Sequence, residues 1–594
     1  MTIKRLICSL LSVLILGAVS LRPVYAAGES VLPSGTPYGE IGAKLDAYVA
    51  EHADTTAGLA VSVFDAESAV CTGYYGCANL EDSLKVDART VFEWGSVSKL
   101  TVWVSVMQLW EQGELDLNED IRAYLPEGFL KNLRYEKPVT MLDLMNHRAG
   151  FEELAFGLET PDEDSVLPLG EALSRFQPTQ RFEPGVVQAY SNYCAALAGY
   201  IVERISGQSY AEYVKAHIFA PLGMEHTAIL PDLSDNPWVR SQREQLRCYT
   251  ASAVRIPKDR MYLNLYPCGM CTSTLEDLMK FGQALLNPAC PLFEKTATYT
   301  ELFTPSSFCG ESDVAACCHG FWVEYGMPNV VGHGGNTTGC TSYLYLDPES
   351  GIGMAIMTNQ FNERIYSFGL PLLVFVSEEK QAQAAAAEDE NALPEDLPGY
   401  VELSRSIFSG PLKLYRLLNM IPLSELGGAA PLIKTESGGV PRYAYTGSDF
   451  LLIESWKVIL MYASVALWVL ASLFCLLRLL IRVIQALRHR GKAALGGWEI
   501  WTCLAQIPFP LLIVPVAISL YSQRSWPVLC YRMIFVAAFV LCLLMAILFV
   551  AGLFRRRPGL TKKQKLLRVC LLLTLLIAIG NILYWNVFMF WAVP

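Results

Sequence analysis

Two kinds of hydrophobic pattern divide the chain near Trp456. Between about residues 34 and 375, apolar positions fall in short runs separated by Gly, Pro, Asn and Asp, some at helical spacing and some alternating every second residue. That mixture, broken by short turns, predicts a mixed α/β domain. In VFEWGSVSKLTVWVSVMQLWEQGEL the apolar residues recur at helical spacing from Val97, so a helix is expected with Gly95 and Ser96 marking its start. In VVGHGGNTTGCTSYLYLDPESGIGMAIMTN, alternation on both sides of the glycines predicts a strand pair. Beyond Trp456 the pattern changes to four uncharged stretches, 458–477, 500–521, 533–554 and 569–594. Each has about the 20 residues that cross a bilayer as a helix. Pro508, Pro510 and Pro515 weaken the second as a regular helix.

The segments between and before these regions complete a five-part plan. Residues 1–26 place Lys4 and Arg5 ahead of a short apolar run and small residues at Val24 and Ala26, the pattern of a secretory signal cut after Ala26. Residues 27–378 hold the α/β domain. Residues 379–399 contain QAQAAAAEDENALPEDLPG, Ala-rich, then acidic, then broken by Pro394 and Pro398, and read as a linker. Residues 400–455 carry short apolar runs with glycines and read as a small β-rich module, and 456–594 as four transmembrane helices. No internal repeat is present.

Composition sharpens this division. The 594 residues are 52% hydrophobic and 17% charged, with a formal charge of −11. That figure joins +14 from Trp456 onward to −25 before it. A strongly acidic exported part is not a surface for polyanions, which excludes nucleic acid as a partner. Arg478, Arg482, Arg488, Arg490 and Lys492 follow the first apolar stretch, and Arg555, Arg556, Arg557, Lys562, Lys563, Lys565 and Arg568 follow the third. Loops so basic stay in the cytoplasm, while the loop with Arg524 and Arg532 lies outside. This orientation exports the N-terminal part, independently of the signal. The four stretches contain no acid and no His, so a proton or ion path has no carrier there, and a transporter is disfavoured. The bundle reads as an anchor among lipids or a docking site for an unidentified protein.

Eleven cysteines lie in the exported part: Cys71, Cys77, Cys194, Cys248, Cys268, Cys271, Cys290, Cys309, Cys317, Cys318 and Cys340. Outside the cytoplasm such a set favours disulfides, with at least one thiol left over. Cys268 and Cys271 form a CxxC without a thioredoxin-like context, which points to a structural role. Cys317, Cys318 and His319 lack the second half of a closed zinc site, so no metal is expected.

Candidate chemistry begins with Ser96 and Lys99, three apart at a helix start and therefore on one face. A Ser hydroxyl needs a base to become a nucleophile, and an amine can serve once burial lowers its pKa. The helix N-terminus adds positive potential where an oxyanion forms. Alone, SxxK is equally a helix start with a solvated Lys. Tyr190, Ser191 and Asn192 follow in FEPGVVQAYSNYCAALAGYIVERISG, where a phenol relays protons and an amide holds a carbonyl, or where a buried Tyr precedes an Asn N-cap. His333, Gly334 and Gly335 come third, with glycines that let substrate backbone approach closely or simply form a turn.

These motifs, in this order, resemble the serine β-lactamase and penicillin-binding protein superfamily, in particular its class C β-lactamase-like branch of esterases and D-stereospecific peptidases. The resemblance covers about 39–359 and includes LDLNEDIRAYLPE, LMNHRAGF around His147, IFAPLGMEHT and CGMCTSTLEDLMKFGQALLN besides SVSK, YSN and HGG. GPLKLYRLL at 410–418, the β-like module and the membrane spans are similar to membrane-anchored members. The resemblance implies a transpeptidase-like fold, an antiparallel sheet flanked by helices with a helical subdomain, and an acyl-transfer enzyme without cofactor. It implies Ser96 as nucleophile, Lys99 as its partner in proton removal, Tyr190 as proton shuttle to the leaving group and Asn192 as a substrate-orienting amide. The backbone N–H groups of Ser96 and Asn336 would form the oxyanion hole, and the His333 to Gly335 motif would line the substrate. Whether Lys or Tyr takes the first proton stays open.

One departure bears on substrate. Many members carry Lys where this chain has His333, and a His is largely neutral at pH 7 unless a neighbour raises its pKa. This weakens the expectation of efficient β-lactam hydrolysis and puts peptidase, D-amino-acid amidase or esterase activity at least level with it. The chain thus reads as a serine hydrolase on the outer face of a bacterial membrane, acting on cell-wall D-Ala peptides, D-amino-acid amides or esters, or β-lactams. The alternative is a penicillin-binding-like sensor or interaction protein signalling through the bundle. The full set of Ser, Lys, Tyr, Asn and His favours the enzyme.

Overall fold

The computed structural model describes residues 30–160, 162–327, 329–381, 399–426, 432–488, 497–521, 526–556 and 558–594. The expected signal at 1–26, residues 382–398 of the expected linker, and the loop cations Arg490, Lys492, Arg524 and Arg557 lie outside them.

The long apolar alternations become strands of one antiparallel sheet. Strands β1 (Gly58–Asp65) and β2 (Ala69–Asn79) form a hairpin, and β3 (Val331–Asn336), β4 (Thr341–Asp347) and β5 (Ile352–Thr358) a meander. Strand β1 pairs with β5, Val61 opposite Ile356, so the first hairpin closes on the last strands of the domain. The sheet continues past β3 through Phe321–Val323, Ala315–Cys318 and Ser307–Phe308. Five helices cover it or stand beside it: α1 (Tyr38–Glu51), α2 (Lys99–Glu111), α3 (Asn192–Ser206), α4 (Leu275–Leu286) and α5 (Ile365–Phe375).

The period of two decides which helix meets which face. Leu59, Val61 and Val63 of β1 pack with Ile41 and Leu45 of α1 and with Leu370 and Val374 of α5. Ala60 and Phe64 point the other way, into the larger core with Leu278 and Phe281 of α4. Helix α2 is buried almost all round, its Lys99, Thr101, Ser105 and Gln108 included, and lies inside that larger core beside α3. The fold is thus the β-lactamase/transpeptidase-like α/β arrangement, a helix-covered antiparallel sheet with a helical subdomain.

Residues 400–453 build a second antiparallel sheet, in the order Met420–Pro422, Tyr400–Leu403, Phe450–Ile453, Arg442–Ala444 and Ile433–Thr435. Four further helices among the described residues are long and apolar enough to cross a membrane: Ser455–Arg488, Gly497–Ser519, Val528–Phe554 and Lys562–Tyr584. The second is interrupted at Ile507, between Gly497–Gln506 and Pro508–Tyr521. Pro508 has no N–H to continue the first piece but suits the opening position of the next. Polar bonds join the helices inside the bundle, Gln506 Nε2 donating to Thr574 Oγ1 at 3.0 Å and Asn581 Nδ2 to the Ser464 carbonyl at 3.1 Å.

The eleven cysteines from Cys71 to Cys340 differ from the disulfide expectation: all carry free thiols. Most are packed inside the domain, and Cys248 and Cys340 bring their sulfurs to 3.9 Å.

Candidate active site

The nucleophile candidate sits on a turn, not on the α-helix that the periodicity predicts. Gly95–Ser98 form a 3-10 turn and α2 begins only at Lys99. Three residues per turn bring positions i and i+3 into line. Accordingly Lys99 Nζ donates to Ser96 Oγ at 2.8 Å, and its other bond goes to the Cys268 carbonyl at 2.7 Å. Lys99 is fully buried while Ser96 is partly exposed, so the hydroxyl faces the cleft and the amine stands behind it.

The CxxC stretch builds the wall under this pair. The segment Thr272–Thr274 pairs with Val91–Glu93, Trp94 N donates to the Cys271 carbonyl (2.8 Å), and Cys271 N donates to Ser98 Oγ (3.0 Å). Cys268 and Cys271 are buried, and burial pushes both thiols up, Cys271 to about 12. Their contribution is backbone: the Cys268 carbonyl orients the Lys99 amine.

Strand β3 passes so close to the turn that only glycine fits. A Cβ on Gly335 would stand 2.0 Å from the Trp94 carbonyl oxygen and 2.7 Å from Ser96 N, and one on Gly95, whose φ is +53°, would stand 2.7 Å from Asn336 N. Ser96 N and Asn336 N therefore lie on facing, nearly touching backbone, which is the arrangement two oxyanion donors require. The glycines of the third motif were expected to admit substrate backbone. What approaches them here is protein: Trp94 to Val97 at Gly335, and the Tyr343 ring at Gly334. Asn336 stays exposed, its Oδ1 accepting from Thr341 Oγ1 at 2.7 Å.

Tyr190 links the three motifs. Lys99 Nζ lies 4.9 Å from its ring centre, and the ring meets Trp322 edge-on at 5.3 Å and His333 at 6.0 Å. The Tyr190 hydroxyl is buried with no hydrogen-bond partner among the described residues. The helix N-cap is Ser191, not Asn192 as the purely structural alternative for this triplet had it, and the Ser191 Oγ accepts from Cys194 N at 3.2 Å. Asn192 is thereby freed of capping, and its buried side chain makes no hydrogen bond among the described residues.

His333 is fully buried and stacked on Trp322, ring centres 4.1 Å apart. Its Nδ1 is 2.6 Å from the Gly334 carbonyl. Burial first, and the charge of Lys99 second, push the imidazole down to about 3, so the third motif is neutral at physiological pH.

Several residues at the site carry no motif of their own. His147, at φ +53°, accepts from Ser191 N at 3.3 Å, stands 4.6 Å from the Tyr190 ring and is pushed well below the usual histidine range by burial. The second sheet holds the segment leading to Tyr190: Tyr190 N donates to Ser448 Oγ (3.1 Å), Gln188 N to Asp449 Oδ2 (3.0 Å), and Arg442 Nε to the same Asp449 oxygen (2.7 Å). From that sheet Arg405 reaches the site, its guanidinium carbon 4.7 Å from the Tyr190 ring centre and its Nε bonded to Glu153. Nothing local in SRSIFSG announces this contact.

His319 turns its Nε2 toward Glu301 at 3.5 Å, away from any partnership with Cys317 and Cys318. Among the described residues no group of three His, Cys, Asp or Glu side chains is placed to hold a metal.

The family described as Beta-lactamase matches residues 45–369. The chain is similar to Protein flp of Staphylococcus aureus (strain MRSA252), 23% identical over 297 residues, 49% of this chain and 57% of that protein. It is similar to a Beta-lactamase of Yersinia enterocolitica, 29% identical over 233 residues, 39% of this chain and 55% of that protein. A Putative penicillin-binding protein PbpX of Bacillus subtilis (strain 168) is 27% identical over 254 residues, 42% of this chain and 59% of that protein. The match thus spans little more than half the length of each relative. Among solved structures, the octameric penicillin-binding protein homologue from Pyrococcus abyssi aligns with a TM-score of 0.47 and 20% identity, covering 61% of this chain and 83% of that one.

Proposed function

The chain belongs to the beta-lactamase family, and on that premise we propose that it is a membrane-anchored serine hydrolase of the class C-like branch, forming an acyl-enzyme at Ser96. The observation that carries the proposal is the pair of bonds that fix Lys99 Nζ between Ser96 Oγ and the Cys268 carbonyl, with the unpartnered Tyr190 hydroxyl nearby.

In this reading Ser96 Oγ attacks the acyl carbonyl while its proton passes to the Lys99 and Tyr190 pair. The oxyanion forms between Ser96 N and Asn336 N, and Tyr190 protonates the departing amine or alcohol. Water then attacks the acyl-Ser96 ester, and the same proton path, reversed, restores the hydroxyl. Asn192, free of capping, orients the acyl amide. A neutral His333 offers no cation to a substrate carboxylate, which supports D-amino-acid amides or esters over β-lactams as turnover substrates.

The four apolar helices support an anchor in a bacterial cell membrane, and the charge pattern of their loops supports an outward-facing catalytic domain. Fluorophosphonate or fluorescent penicillin labelling of the full chain tests the chemistry. A Ser96-dependent adduct is expected from at least one probe, and its absence from both ends this reading. Relative kcat/KM on D-Ala-D-Ala peptides, D-amino-acid amides, short acyl esters and nitrocefin then ranks the substrate classes.

A further inference from the structure

Resting on that reading of Ser96, we infer that Arg405, delivered by the second sheet from outside the family-matched residues, is the group that recognises a carboxylate on the leaving-group side of the substrate. The two basic side chains that the motifs provide are unsuited to the task. Lys99 is fully buried and bonded to Ser96 and Cys268. His333 is fully buried, stacked on Trp322 and directed at the Gly334 carbonyl.

Arg405 differs from both. Its side chain is 37% exposed although it lies on the Tyr190 ring. Among the described residues its one hydrogen bond runs from Nε to Glu153, which leaves both Nη groups open. A planar guanidinium with free N–H donors matches a carboxylate in geometry as well as charge, and the ring beneath it limits its orientations. Glu153 moderates the charge without covering the outer edge.

The backbone that carries Arg405 is fixed to the catalytic domain on both sides. Ser404 Oγ donates to the Gln188 carbonyl at 2.6 Å, and Glu153 N donates to the Ser406 carbonyl at 3.1 Å. Phe408 N and Ser409 N both donate to Glu152 Oε2, at 2.7 and 2.9 Å. The guanidinium is thus held beside Tyr190 by contacts at Gln188, Glu152 and Glu153. Because Tyr190 is the group that protonates the departing atom, an anion bound at Arg405 belongs to the departing half of the substrate. A peptide that releases a C-terminal amino acid has such a carboxylate; a simple ester does not.

The test uses the full-length protein and matched competitors of fluorophosphonate labelling at Ser96. Benzylpenicillin is compared with its methyl ester, and an acyl-D-Ala-D-Ala peptide with its C-terminal amide. The native chain is expected to prefer the free acid in at least one pair, and Arg405→Ala to reduce that acid-to-neutral ratio about tenfold, near 1.4 kcal/mol. Arg405→Lys should retain part of the preference, which a packing role would not predict. No acid preference in either pair, or a preference that survives Arg405→Ala, overturns the inference while Ser96 labelling persists. Loss of Ser96 labelling in the native chain removes the hydrolase reading itself, so the two failures are distinguishable.

Discussion

The catalytic domain and the helical bundle use the same residue types in opposite ways. The domain turns charge inward: Lys99 is fully buried, Arg243 meets Glu93 at 2.8 Å with both side chains inside, and Arg442 meets Asp449 at 2.7 Å on the second sheet under Tyr190. The bundle turns apolar surface outward, with Ile459, Leu470, Ile547 and Leu573 all more than half exposed. Water penalises the second arrangement and hydrocarbon penalises the first. One part of the chain is built to hold reactive polar groups in a dry, fixed geometry. The other consists of helices long and apolar enough to cross a membrane. The residues between them, Pro411–Leu418, touch both worlds: Arg416 pairs with Glu402 at 2.7 Å, and Lys413 Nζ donates to the Tyr584 carbonyl at 2.9 Å.

The sharpest way to separate the two regions is to remove the nucleophile. Ser96→Ala should lower acylation by more than about 10³-fold, since the remaining groups only position and stabilise, while leaving the melting temperature and detergent behaviour of the bundle unchanged. Rates of fluorophosphonate labelling and a thermal melt check both halves of the statement. Next in size is Gly335→Ala. The added methyl would stand 2.0 Å from the Trp94 carbonyl and 2.7 Å from Ser96 N, forcing β3 away from the nucleophile turn. A displaced oxyanion donor costs about 10² to 10³ in rate. Labelling that stays within threefold of the native chain would show that β3 does not carry that donor.

Acid treatment probes the inward-facing polar groups as a class. His333 is held down to about 3 in the folded protein and returns to the ordinary histidine value near 6.5 on unfolding. Between those limits the unfolded chain binds the extra proton, so stability falls as pH falls from about 6.5 toward 3, by up to about 1.4 kcal/mol per pH unit. Below about 3 both states are protonated and the contribution is flat. His147 acts in the same direction. Denaturant titrations of the native chain and His333→Gln from pH 7 to pH 4 should show a shallower loss in the variant. Equal slopes would mean that His333 is not the buried neutral group described above.

How much of this was legible in advance follows from the range of the forces involved. The pairing of Ser96 with Lys99 was readable because three residues along one turn is a local distance, although the turn is 3-10 and not the predicted α-helix. The mixed α/β class was readable from short runs at helical and alternating spacing, whereas the antiparallel sheet with a helical subdomain was what the resemblance of the motifs implied. The reason for Gly335 was not, because the atom it avoids, the Trp94 carbonyl, lies far away in sequence. Arg405 was invisible for the same reason with an addition. Its neighbours Tyr190 and Glu153 are brought to it only when the second sheet docks, and no spacing along the chain encodes a docking. His147 was intermediate: the stretch LMNHRAGF around it was part of the resemblance, but its bond to Ser191 N was not readable.

The smallest effect is expected where the two regions meet. Lys413 bonds the Tyr584 carbonyl and places its amine 4.5 Å from the same ring. Nearby, Phe156 of the catalytic domain meets Tyr531 of the bundle edge-on at 5.4 Å. These are contacts at the rim of a solvated junction, where a single cation and its carbonyl contribute about 1 kcal/mol or less. Lys413→Ala should therefore change Ser96 labelling by less than about twofold and lower the melting temperature only slightly. A tenfold change in labelling would reverse the contrast between the regions, because it would mean that the junction biases the geometry around Tyr190. The outward-facing bundle would then be part of the catalytic arrangement, and a signal carried between membrane and site would become the better account of why one chain contains both.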